Sequence, residues 1–97
     1  MARSEDLTIQ PKVWTEITNA DVTAITFQNK AKGRVVLVSA TVGSVEPTSL
    51  DGVEYPPSEG HYDLHLATAF PGVSGANRVW VYSLDAKGLI PVFVSHA

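Results

Sequence analysis

The sequence predicts a small all-β domain, an antiparallel β-sandwich or barrel of six to seven strands with an extended N-terminal arm. Three observations carry that expectation. Short runs of β-branched and aromatic residues recur along the chain, each closed by a turn signal. No stretch keeps apolar residues at i, i+3, i+4 and i+7 between credible helix caps. Finally, 97 residues, 44% of them hydrophobic, suffice for one core and leave no room for a second.

Residues 1–12 stand outside the strand pattern. They are mostly polar, run into Gln10-Pro11-Lys12 and carry only Leu7 and Ile9 as apolar anchors. They read either as an arm that adds a strand to a neighbouring sheet or as a frayed terminus. The domain proper spans 13–97. Val13 to Ile17 is its first strand, ended by Thr18-Asn19-Ala20-Asp21. Val22 to Gln28 then alternates, with Thr23, Ile25 and Phe27 on one side and Val22, Ala24 and Thr26 on the other. Asn29 to Gly33 turns the chain, Gly33 being free to take positive φ. Arg34 to Val42 is the longest strand. It is apolar on both faces through Val35-Val36-Leu37-Val38, which marks it as central and covered.

The segment 43–60 carries Pro47, Pro56, Pro57, Gly52 and four acids without a base, and reads as a protruding loop. Asp51-Gly52 signals a tight turn for a small hairpin there, and Tyr55-Pro56-Pro57 must be extended. His61 to Leu66 follows as a strand with Tyr62, Leu64 and Leu66 on one face. Pro71 to Asn77 is a loop. Arg78 to Leu84 and Leu89 to Ser95 form the last hairpin through Asp85-Ala86-Lys87-Gly88, a type I turn with a glycine bulge. Trp80, Tyr82 and Leu84 share a face and are assigned to the core. Pro91 cannot donate to a ladder, so the last strand is expected at an edge or bulged there.

Several function classes fall away on composition. Ten acids against seven bases give a net charge of −3, the wrong sign for a face that grips phosphates. Lys30, Lys32 and Arg34 are spread around one turn and read as a solvated hairpin tip. Without cysteine there is neither a disulfide framework nor a Cys-based zinc site, which suits a reducing cytosol. Met1 to Asp6 has charges but no apolar segment, so no signal peptide is expected. The longest apolar run, Leu89 to Val94, contains a proline and falls far short of the ~20 residues of a spanning helix.

One constellation could carry chemistry. His61, Asp63 and His65 alternate on a strand and would project together, and two imidazoles with a carboxylate are sound ligands for a divalent ion. Alternate residues on a strand nevertheless stand roughly 6.5–7 Å apart, wide for three ligands on one ion. The favoured reading makes them the wet side of a strand, with no metal and no cofactor. Gly72-Val73-Ser74-Gly75 brings its second glycine one residue too early for a nucleophile elbow. Glu46, Asp51, Glu54 and Glu59 solvate a loop, and no phosphate-cradling glycine motif occurs. The chain is not expected to be an enzyme. Binding falls to the aromatics: Trp14, Tyr55 and Tyr62 could stack on sugar rings, or anchor a protein interface. The contact candidates are Leu7, Ile9, Trp14, Tyr55, Pro56 and Pro57.

The order of features carries a resemblance. Val13-Trp14-Thr15-Glu16-Ile17-Thr18 leads into Ala24-Ile25-Thr26-Phe27-Gln28-Asn29, then a valine-rich strand, a Pro-containing loop and Arg78-Val79-Trp80-Val81-Tyr82. Over residues 13–84 this is similar to a loose group of small virion proteins of tailed bacteriophages, often encoded among head and tail genes. The resemblance implies a capsid decoration (cement) subunit that binds the major capsid protein or other virion proteins. A head–tail connector component, or a carbohydrate-binding or accessory module of the tail or baseplate, is the alternative. It implies a homo-oligomer built into the virion in the host cytoplasm, local three-folds favouring a trimer, with neither nucleic acid nor membrane as partner. It carries over no catalytic or binding residues.

Overall fold

The computed structural model describes residues 2–84 and 88–97. Along the chain run β1 (Arg3–Ile9), β2 (Thr15–Glu16), β3 (Ala24–Asn29), β4 (Val36–Thr41), β5 (Val53–Tyr55) and β6 (Gly60–His65). A single helical turn, α1 (Leu66–Ala69), precedes β7 (Arg78–Ser83) and β8 (Ile90–His96). The strands make two antiparallel four-stranded sheets, ordered β1-β8-β3-β6 and β2-β7-β4-β5. The all-β sandwich expected from the sequence is therefore present, with eight strands among the described residues rather than six or seven.

Alternation builds the core. Ile25 and Phe27 of β3 and Ile90, Val92 and Val94 of β8 face Val36 and Val38 of β4 and Val79 and Val81 of β7. Each fully buried side chain of this kind stabilises the fold by roughly 1.5–3 kcal/mol. As its composition predicts, β4 lies inside its sheet and is covered on both faces. Its Leu37 points outward, into a second cluster with Trp14 and Trp80 against which Tyr82 packs.

The structure corrects two connections and one strand placement. First, β3 and β4 lie in different sheets, so Lys30, Lys32 and Arg34 sit on a crossing between sheets rather than at a hairpin tip. A buried amide holds that crossing: Asn29 Nδ2 donates to the carbonyls of Arg34 (2.9 Å) and Tyr55 (3.0 Å), and its Oδ1 accepts from Ala31 N–H (3.0 Å). Second, β7 and β8 also belong to opposite sheets and form no hairpin. Of the expected Asp85-Ala86-Lys87-Gly88 turn, residues 85–87 lie outside the described residues, and Gly88 takes φ +77°. Third, Pro91 sits on an interior strand, between β1 and β3. Its nitrogen and carbonyl point to the same side, and that carbonyl accepts from Lys30 N–H (3.0 Å), one residue past the end of β3. The missing donor thus falls where the ladder has already ended.

The N-terminal segment is not a free arm. Arg3–Ile9 forms the edge strand of its own chain's sheet, with all seven residues in register against β8 from Arg3↔His96 to Ile9↔Ile90. Ile9 is fully buried, and Leu7 packs partly buried against the same core. Charges at Arg3, Glu5 and Asp6 discourage further pairing along the exposed edge. The chain then turns away at Lys12, whose φ of +61° places a non-glycine residue in the left-handed region at a cost of about 1–2 kcal/mol.

Nor does 43–60 protrude as one loop. Val53–Tyr55 is β5, paired with Val38–Val36 at the sheet edge. Upstream of it, the chain lies against the outer face of that sheet, where Trp14 Nε1 donates to the Ser49 carbonyl (3.1 Å).

Candidate functional site

The surface that stands out lies on the outer face of the β1-β8-β3-β6 sheet, and one irregularity creates it. Between β3 and β6, Ile25 pairs with Leu64 and Phe27 with His61, so Tyr62 and Asp63 together oppose the single residue Thr26. This is a β-bulge. Asp63 takes φ +51°, a conformation Asp tolerates better than most residues, and its N–H donates to Thr26 Oγ1 (3.0 Å). In an unbroken strand Tyr62 would share the buried side with Leu64. The extra residue breaks the period, leaving Leu64 7% and Tyr62 88% exposed. The expected burial of Tyr62 is therefore corrected.

The same bulge separates the histidines. His65 Nε2 lies 3.3 Å from Asp63 Oδ2, both well exposed, while His61 stands in register with Phe27 beyond the irregularity. His96 is buried at the far end of β8. No cluster of three or more His, Cys, Asp or Glu suited to a metal ion occurs among the described residues. His61, Asp63 and His65 do not converge as the sequence period suggested.

Tyr62 and the half-buried Phe93 flank a shallow groove of about 390 Å³, with Thr26, Gln28, Glu59 and His61 as its polar lining. Its floor is Gly60. A Cβ there would overlap the Phe27 carbonyl oxygen and approach Gln28 Cα to 2.6 Å, so no side chain fits without parting β3 from β6. Gln28 Nε2 donates to the Ser58 carbonyl (3.1 Å), fixing one wall. The groove therefore offers an exposed aromatic platform carried on strands, with hydrogen-bonding groups from β3, from β6 and from the turn before β6 beside it.

Most residues singled out from the sequence lie elsewhere. Leu7 and Ile9 belong to the core edge. Trp14 is buried, 5.2 Å from the Tyr82 ring. Tyr55 packs edge-on against Phe27 with ring centres 4.8 Å apart, and burial pushes its phenol pKa up. Pro57 is half-buried; Pro56 alone of the six is freely exposed. Their placement gives them structural duties, and the structure brings none of them into the Tyr62 groove.

A second polar cluster is a clamp. Arg78 donates to Glu16 Oε2 and Asp21 Oδ1, both at 2.9 Å, and to Ser44 Oγ at 2.6 Å. The bonds to Glu16 first, then Asp21, hold its guanidinium above the usual range. It ties the start of β7 to β2 and to the turn after β4.

Comparison of the chain with protein-family models, with curated proteins and with solved structures gives no significant match.

Proposed function

We propose that this chain is a virion structural protein of a tailed bacteriophage, a capsid decoration subunit that docks through the Tyr62 face. The observation that carries the reading is the 88% exposure of Tyr62, fixed by a bulge on a strand of a well-packed sandwich. A large aromatic carried outward on the backbone of a paired strand supplies the contact area an interface anchor requires. The partner is the outer surface of the major capsid protein, consistent with the resemblance over residues 13–84. Several copies on one lattice would turn modest single contacts into lasting attachment.

The test uses virions of the phage that encodes the chain, stripped of this subunit and re-incubated with purified protein. Tyr62→Ala should melt like the wild type and bind about thirtyfold more weakly, corresponding to ~2 kcal/mol for an anchor residue. Equal occupancy of mutant and wild type on the particles would refute the assignment.

A second reading is supported by the groove itself. Tyr62 beside Gln28, Glu59 and His61 combines a stacking face with hydrogen-bonding groups, the requirement of a sugar ring. In that case the chain is a carbohydrate-binding accessory of the tail or baseplate. Calorimetric titration with host surface polysaccharide separates the two: heat that vanishes in Tyr62→Ala supports this reading, and no heat retires it.

A further inference from the structure

We infer that β1 is an exchangeable strand, able to leave its own β8 and pair with β8 of a second copy of this chain. The inference goes beyond the docking face and holds whether or not the partner of that face is a capsid.

Three features of the segment point the same way. Its slot is complete on one element: all seven residues of β1 find their partners on β8, and Ile9 and Leu7 drop onto the core beside Ile90 and Val92. A second copy offers the identical slot, so exchange reproduces every one of these contacts, including the Lys30–Asp6 pair (3.0 Å) and the Arg3 bond to the Ile17 carbonyl (3.2 Å).

The hinge is the second feature. Only Gln10 to Val13 separates β1 from Trp14. Pro11 confines Gln10 to extended backbone and fixes its own φ, so the segment is stiff. The reversal rests on Lys12, a side-chain-bearing residue held at φ +61°. Short hinges under strain favour exchange, because an open hinge lets the strained residue return to extended backbone.

The third feature is the small set of contacts that holds the closed hinge among the described residues. Lys12 N–H donates to the Ser83 carbonyl (3.1 Å), beside an isolated bridge from Pro11 to the same residue. Lys12 and Val13 are exposed. Straightening the hinge gives up that bond and removes one left-handed residue from each chain.

The chain has no cysteine, so single cysteines report pairing without interference. Ser4 and Ser95 are register partners across β1 and β8. A Ser4→Cys chain and a Ser95→Cys chain are unfolded together, refolded at high concentration and oxidised. The expected product is a dimer whose 4–95 disulfide, located by peptide mapping, joins two different chains. The Ser4→Cys/Ser95→Cys double variant, as a dilute monomer, should close the same bond within one chain and so verifies the geometry.

Light scattering on the cysteine-free protein supplies the independent measurement. Lys12→Gly removes the strain of the closed hinge and should lower the dimerisation constant at least about thirtyfold, the equivalent of two relieved left-handed residues, one per chain. A protein that stays monomeric at every concentration overturns the inference. So does a dimer without the interchain 4–95 bond when the double variant forms it, or a dimer indifferent to Lys12→Gly.

Discussion

Asn29 lies outside the Tyr62 groove, and its side chain closes three hydrogen bonds at 2.9–3.0 Å while fully buried. Through them one amide fixes the end of β3, the approach to β4 and the end of β5. At about 1 kcal/mol net per bond, Asn29→Ala should cost about 3 kcal/mol, and stranded carbonyls leave no cheap way to relax. Urea unfolding checks this, and a loss under about 1 kcal/mol would show that water replaces the amide. Tyr55 sets a pH limit instead. Burial raises its folded pKa above the unfolded value, so the native state keeps a proton that the unfolded chain gives up. The stability it lends is intact below about pH 10 and is lost as pH rises through the folded value. Tyr55→Phe has no proton to lose. Its melting temperature should therefore fall less steeply than that of the wild type between about pH 9 and pH 11. Parallel curves would mean the ring is hydrated.

Strands were legible in the sequence wherever β-branched residues alternate, and their pairing was not. β3, β4, β7 and β8 fall within a residue or two of the runs that announce them, because side-chain period is local information. Which sheet each strand joins depends on the chain between them. Asn29 to Gly33 looks like a hairpin turn, yet it crosses from one sheet to the other, held by the buried amide of Asn29, which bonds the carbonyls of Arg34 and Tyr55. β1 was obscured for a different reason. As an edge strand it exposes most of its residues, and two apolar side chains among polar ones resemble a loose terminus. The Tyr62 site is the clearest case of a global cause overriding a local rule. Strict alternation from Leu64 buries Tyr62 and gathers His61, Asp63 and His65. One αL residue at Asp63 reverses both conclusions. The available signal was an Asp, tolerant of that conformation, on a strand whose first residue, Gly60, admits no side chain.

A domain of 97 residues has little margin, and this one spends an eighth strand to close its core. That makes β1 a test of the whole molecule. If residues 1–9 were an accessory arm, their removal would leave the sandwich intact. The structure places Ile9 at 0% exposure and sets β1 over the edge of β8, so truncation withdraws Ile9 and Leu7 and opens the core beside Ile90 and Val92. It also turns β8 into a bare edge on that side, with unpaired backbone groups along seven residues. At roughly 1.5–3 kcal/mol per buried aliphatic side chain, the two lost residues and the uncovered neighbours together forfeit about 5 kcal/mol. That is comparable with the lower end of the ~5–15 kcal/mol that holds a domain of this size together. A chain starting at Gln10 should accordingly lose its cooperative thermal transition, or melt far below the full chain, and its amide proton spectrum should lose dispersion. A truncated chain that kept both would show that the other seven strands close the core unaided.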